Sequence, residues 1–114
     1  MPKLYYASPR DLPVFAPYPG AKGRVLQTDN ATMIWWDLAP KTVVDSHKHE
    51  VEQFGVVVRG SLAMIVAGEQ RILTAGDTFR IPPGSAHGVR VFEEPTQVID
   101  VYTPPRTDLV LANP

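Results

Sequence analysis

Proline and glycine limit the length of every element this chain can form. Twelve Pro and eight Gly are spread through its 114 residues, and no apolar pattern of helical period survives for three turns between them. What does survive is strict short-range alternation. Met33, Trp35 and Asp37 share one face of an extended segment, and Ile34, Trp36 and Leu38 share the other. Similar segments follow over residues 42–48, 53–59, 61–67, 70–74, 77–81, 88–92 and 96–102, with Ala67-Gly68-Glu69 and Ala75-Gly76-Asp77 as turns. About eight or nine short strands between turn signals predict an all-β domain, a sandwich or a small antiparallel β-barrel. Residues 1–24 are Pro-rich and lack clean alternation, so they are expected to form an arm or edge segment, with residues 25–114 as a single domain. Pro104-Pro105 ends strand pairing, and the tail beyond it is expected to pack as a short helix or coil.

Composition removes several function classes. A formal net charge of -1 leaves no basic excess for phosphate contacts, which argues against a nucleic-acid partner. Without cysteine the chain has no disulfide, no thiolate metal ligand and no cysteine nucleophile. The start, Met1 to Tyr6, has no apolar core of signal-peptide length, and no stretch approaches the roughly 20 apolar residues that span a bilayer. A soluble, cytoplasmic protein with no membrane partner is the expectation. A barrel this small buries a modest core and leaves sheet edges exposed, so a homodimer is expected.

The three histidines are placed to share one ion. His47 and His49 are one residue apart, which in a strand puts both rings on one face. Gln53 follows after Glu50-Val51-Glu52, and a tight reversal there would return its side chain to the same point. His87 lies at the start of a later strand, after the turn Pro82-Pro83-Gly84. Imidazole nitrogens with one oxygen donor suit a single divalent ion such as Ni, Zn, Mn or Fe and leave coordination positions open. The spacing favours Gln53 as the oxygen donor, with Glu50 and Glu52 as its rivals.

This pattern resembles the cupin family. The first cupin motif has two His one residue apart, then Glu or Gln, then Gly, and here reads His47-Lys48-His49, Gln53 and Gly60. The second has Gly, a Pro-x-Gly turn and His, and here reads Gly76, Pro82-Pro83-Gly84 and His87. The resemblance implies a jelly-roll barrel, the double-stranded β-helix, with His47, His49, Gln53 and His87 as metal ligands. Two positions depart from the motifs: Lys41 stands where the first opens with Gly, and Val91 where the second closes with Asn. Lys41 puts in question the positive-φ turn before the strand, which a Lys adopts only at a cost of about 1 kcal/mol. Most cupins place a carboxylate where this chain has Gln53. With only neutral ligands a divalent ion keeps its full charge, acts as a stronger Lewis acid and attracts anionic substrates.

A second set of residues lies near the end. Thr96, Val98, Asp100 and Tyr102 share one strand face, and Asp100 sits between Ile99 and Val101, where an ionised carboxylate needs a reason. Either the strand is an edge with Asp100 in water, or Asp100 faces the barrel as a general acid or base. Arg106 is either a solvated tail residue or folds over the barrel mouth to bind a substrate carboxylate. Gln53 together with the ending from Asp100 through Arg106 to Asp108 is similar to the pectin-degradation cupins. Those proteins convert 4,5-unsaturated uronates into linear keto-deoxyuronates. The resemblance implies a small anionic substrate and catalytic roles for Asp100, Tyr102 and Arg106, with Tyr102 where Phe is usual. Other readings are a cupin dioxygenase that cleaves carbon–carbon bonds and a binding cupin without catalysis. Trp35, Trp36, Met33 and Met64 read as packing residues, and Arg24, Arg80 and Arg90 as further candidates to point inward.

Overall fold

Along the last strand of the fold every second side chain is buried: Thr96, Val98, Asp100 and Tyr102 face inward and their neighbours are half-exposed. This is the period-two pattern read from the sequence, now with a core behind it. The computed structural model describes residues 5–114, so the first four positions of the expected arm lie outside it. After a single 3-10 turn at Pro9–Asp11 come ten strands. They are β1 (Val14–Tyr18), β2 (Ala21–Gln27), β3 (Thr32–Leu38), β4 (Val43–His47), β5 (Glu52–Arg59), β6 (Ser61–Val66), β7 (Glu69–Thr74), β8 (Thr78–Ile81), β9 (His87–Val91) and β10 (Thr96–Thr103).

The strands form two antiparallel sheets, ordered β1-β2-β3-β10-β5-β8 and β4-β9-β6-β7. This is the expected all-β jelly-roll arrangement. Ile34, Trp36, Leu38, Val57 and Val98 of the larger sheet pack against Leu62, Met64 and Val91 of the smaller one. Ala67 and Gly68 turn β6 into β7 with φ of 49° and 85°, the twist that a two-residue hairpin requires.

The boundary expected after residue 24 falls inside β2, because strand pairing already begins at Val14. Proline is tolerated there because β1 is an outer strand of its sheet. Beyond Pro105 the tail is coil, of the two forms expected, and it returns to β1 through paired backbone hydrogen bonds between Val14 and Ala112, both 2.9 Å.

Lys41 takes φ 64°, so the left-handed turn that the replacement of the motif's Gly put in question is kept. Its amide is held by the Phe92 carbonyl at 2.8 Å, and its side chain makes only an exposed pairing with Glu93. Lys41→Gly is expected to raise the unfolding free energy by about 0.5–1 kcal/mol in a urea titration. An unchanged or lower midpoint would show that this turn carries no backbone strain.

Candidate metal centre and active site

His47 and His87 are direct cross-strand partners in the β4–β9 pair, which places their ring centroids 4.4 Å apart. The His-x-His pair does not lie wholly in a strand as expected. β4 ends at His47, and the chain leaves the sheet at Lys48 toward the bend at Glu50 and Val51. His49 still reaches the site because its carbonyl accepts the Gly84 N–H at 2.8 Å, tying one histidine motif to the turn of the other. Gly84 has φ 76°, a conformation that glycine adopts without strain. One nitrogen from each of the three rings lies within 4.8 Å of the others.

The outer nitrogens are fixed in the same way. Each imidazole donates its Nδ1 hydrogen to a backbone carbonyl two residues away: His47 to Asp45, His49 to Val51 and His87 to Ser85, each at 2.9 Å. A carbonyl only accepts, so each Nε2 is left with a free lone pair. His87 Nε2 is buried without a partner. Gln53 Oε1 lies 3.0 Å from His49 Nε2, which sets two acceptors face to face. A cation is the simplest charge to reconcile a nitrogen lone pair, an amide oxygen and a buried unpartnered nitrogen at one point, so the donor set fits a divalent metal. Burial holds the His87 pKa below its ordinary value, and the neighbouring imidazoles add to this against the Ser85 hydrogen bond. That favours the neutral, ligating form. Among the described residues Glu50 and Glu52 do not join this cluster. Glu52 turns outward to Arg80 at 3.4 Å.

Gln53 is opposite Tyr102 in the β5–β10 pair, and Asp100 is opposite Gly55. A Cβ at Gly55 would strike the Ile99 carbonyl oxygen and come within 2.9 Å of Asp100 Oδ1, so glycine leaves room for the carboxylate. β10 lies between β3 and β5 and is no edge, and Asp100 is 6% exposed. Burial raises its pKa to about 6, although Gln53, Trp36 and Tyr102 present hydrogen-bonding groups to it. Asp100 Oδ1 has no close partner. The Tyr102 hydroxyl points to Oδ2 at 3.4 Å, and burial followed by the Asp100 charge keeps the phenol protonated. A cavity of about 110 Å3 joins His47, Gln53, His87, Asp100, Tyr102 and Arg106. The Arg106 guanidinium lies over the Tyr102 ring at 4.9 Å, so the tail does fold back over the mouth.

A family model described as the cupin domain matches residues 34–102. The chain is a cupin. It is 31% identical over 93 residues to the pectin degradation protein KdgF of Dickeya dadantii (strain 3937), a match covering 80% of this chain and 84% of the relative. The structure of KdgF from Halomonas sp. superposes with a TM-score of 0.77 at 30% identity, covering 83% of this chain and 88% of that one. An RmlC-like cupin from Shewanella frigidimarina NCIMB 400 gives 0.85 at 24% identity, covering 93% and 96%. Oxalate decarboxylase of Bacillus subtilis, at 18% identity and with 31% of its chain covered, shares the fold.

In this cupin the inward-pointing arginine is Arg106. Arg24 instead donates to the carbonyls of Arg10 and Leu12, Arg80 pairs with Glu52, and Arg90 lies over the Phe92 ring. Trp36, read as packing, also walls the cavity, whereas Trp35 sits on the opposite face of β3. Phe15, Pro17 and Tyr18 line it too, and they come from the segment read as an arm or edge segment. The aromatic pair Phe15 and Tyr18 was the available signal, but no alternation marked which way it faced.

Two outcomes test the centre. Ni or Zn at about 100 times its Kd should stabilise the cupin by about 2.7 kcal/mol in thermal melts, and His87→Ala should abolish the gain. Full retention in that variant would place the ion elsewhere. The second outcome concerns charge. A folded-state pKa above the ordinary 3.8 of an aspartate means that stability from this group is complete below pH 3.8 and is lost as pH rises to about 6. In EDTA, Asp100→Asn should therefore gain about 3 kcal/mol over the wild type at about pH 8 and lose that advantage near pH 4. Parallel stability curves for the two proteins would contradict a buried, destabilised carboxylate.

Proposed function

We propose that this cupin is a metal-dependent, non-redox enzyme that converts a 4,5-unsaturated uronate into the linear 4-deoxy-5-keto uronate. The observation that carries the reading is the convergence of His47, His87, Gln53, the buried Asp100 and Arg106 on one small cavity, with a nitrogen of His49 within 4.8 Å of those of the other two histidines. The similarity to a pectin degradation protein over most of both chains supports it.

The reaction is an isomerisation and needs no oxidant. The O1 proton leaves, the C1–O5 bond breaks to give an aldehyde at C1, and O5 is released as the enolate of C5. A proton added at C4 then completes the 5-ketone. His47, His49, Gln53 and His87 would hold a divalent ion, which would supply Lewis acidity to the cavity when bound. Asp100 takes the O1 proton and returns one to C4. A pKa of about 6 suits it to both tasks near neutral pH. Tyr102 holds Oδ2 of Asp100 and orients the carboxylate. Arg106 binds the substrate carboxylate at the mouth. Trp36, Phe15 and the β10 wall keep bulk water from the enolate.

The test is spectroscopic. The metal-loaded protein should accelerate the loss of ultraviolet absorbance of a 4,5-unsaturated uronate. Asp100→Ala should lower kcat by about 100-fold or more. No acceleration over buffer, or full activity in Asp100→Ala, would sink the proposal. Activity that survives under argon with Ni or Zn would separate it from an oxygen-dependent cleavage.

A further inference from the structure

Beyond β10 the tail runs back along the first three strands and fixes one residue, Arg106, at several points. Its backbone N–H donates to Thr32 Oγ1 at 2.8 Å, and its carbonyl accepts from Gln27 Nε2 at 2.9 Å. The Thr32 hydroxyl in turn donates to Gln27 Oε1, so both clamps belong to one network. The guanidinium carbon lies 4.9 Å from the Tyr102 ring centre and 5.6 Å from that of Phe15. Asp108 closes the arrangement. Its Oδ1 accepts from Arg106 Nε at 3.3 Å and its Oδ2 from Nη2 at 2.9 Å.

This fork lies on the solvent side. The Arg106 side chain is 17% exposed and lines the cavity, whereas that of Asp108 is 68% exposed and is not part of the lining. A guanidinium carries five N–H donors; Asp108 engages two of them, and the Tyr102 hydroxyl also faces the group. The remainder stay available to an anion inside.

We infer that Asp108 is a positioning residue, whose two hydrogen bonds orient Arg106 so that its remaining donors meet the carboxylate of a sugar acid in the cavity. The identity of that ligand rests on the uronate reading above. The alternative role for Asp108 is a competitor that the substrate carboxylate must displace. Its place outside the cavity argues against this, because an anion on the inner side approaches Arg106 without evicting it. Holding the guanidinium in advance removes the ordering cost of a long side chain from the binding step.

Asp108→Asn keeps the shape of the side chain and removes its charge. The side-chain Nε–H resonance of Arg106, identified by its loss in Arg106→Lys, should be sharp in the wild type and broadened or lost in Asp108→Asn. In the metal-loaded full chain, the Kd for D-galacturonate should rise about fivefold to tenfold in Asp108→Asn, while that for neutral D-galactose stays unchanged. Turnover of the unsaturated uronate should show a raised KM with kcat within about twofold. An unchanged Arg106 resonance overturns the inference. So does tighter galacturonate binding in Asp108→Asn, equal weakening of both sugars, or a wild type that does not prefer galacturonate to galactose. A wild type that binds galacturonate but leaves the unsaturated uronate untouched removes the uronate reading alone, because the resonance and the two sugars still decide the role of Asp108.

Discussion

The rest of the site depends on three short hydrogen bonds from imidazole to main chain. Asp45, Val51 and Ser85 each take the Nδ1 hydrogen of a histidine two residues away, and in doing so dictate which nitrogen carries the lone pair. None of these bonds needs a distant residue. The long-range contribution is the β4–β9 register that sets His47 against His87 and the Gly84–His49 bond that returns the loop to them. Local bonds choose the tautomer, and sheet pairing chooses the meeting point.

The interior then carries two unsatisfied demands side by side. His87 Nε2 lacks a proton donor and Asp100 Oδ1 lacks a partner, both buried in the same cavity. Such groups normally weaken a fold. Placed together they describe a pocket complementary to a cation on one side and to a transferable proton on the other. Gln53 belongs to both, since its oxygen faces His49 and its side chain also meets Asp100. A carboxylate at position 53 would set a second negative charge against Asp100, so the neutral amide is compatible with a buried acid in a way that glutamate would not be.

Much of the architecture was legible without coordinates. The strands predicted over residues 53–59, 61–67, 70–74 and 96–102 match β5, β6, β7 and β10 to within one residue at each end, because the turn residues between them admit few alternatives. The turn at Lys41 was in question because a side chain replaces the motif's Gly, and the structure keeps its positive φ all the same. Less legible was the segment before residue 24. Prolines mask its alternation, and β1 becomes a strand through its pairing with β2 and the return of Ala112. The His47–His49 spacing suggested a continuous strand, but the hydrogen bonds of His49 pull the chain out of the sheet.

By itself, then, the sequence determined the strand periodicity, the turns, and the chemical identities of the groups on the inward face, since each depends on neighbours only a few residues away. Only the tertiary structure decided that Asp100 is interior rather than on an edge, that Glu52 turns away to Arg80, and that Arg106 rather than Arg24, Arg80 or Arg90 reaches the cavity. The reason is physical. Alternation says that two residues share a face, but strand order decides whether that face meets solvent, a second sheet or a shared pocket, and strand order is set by pairings between residues as far apart as Thr32 and Tyr102.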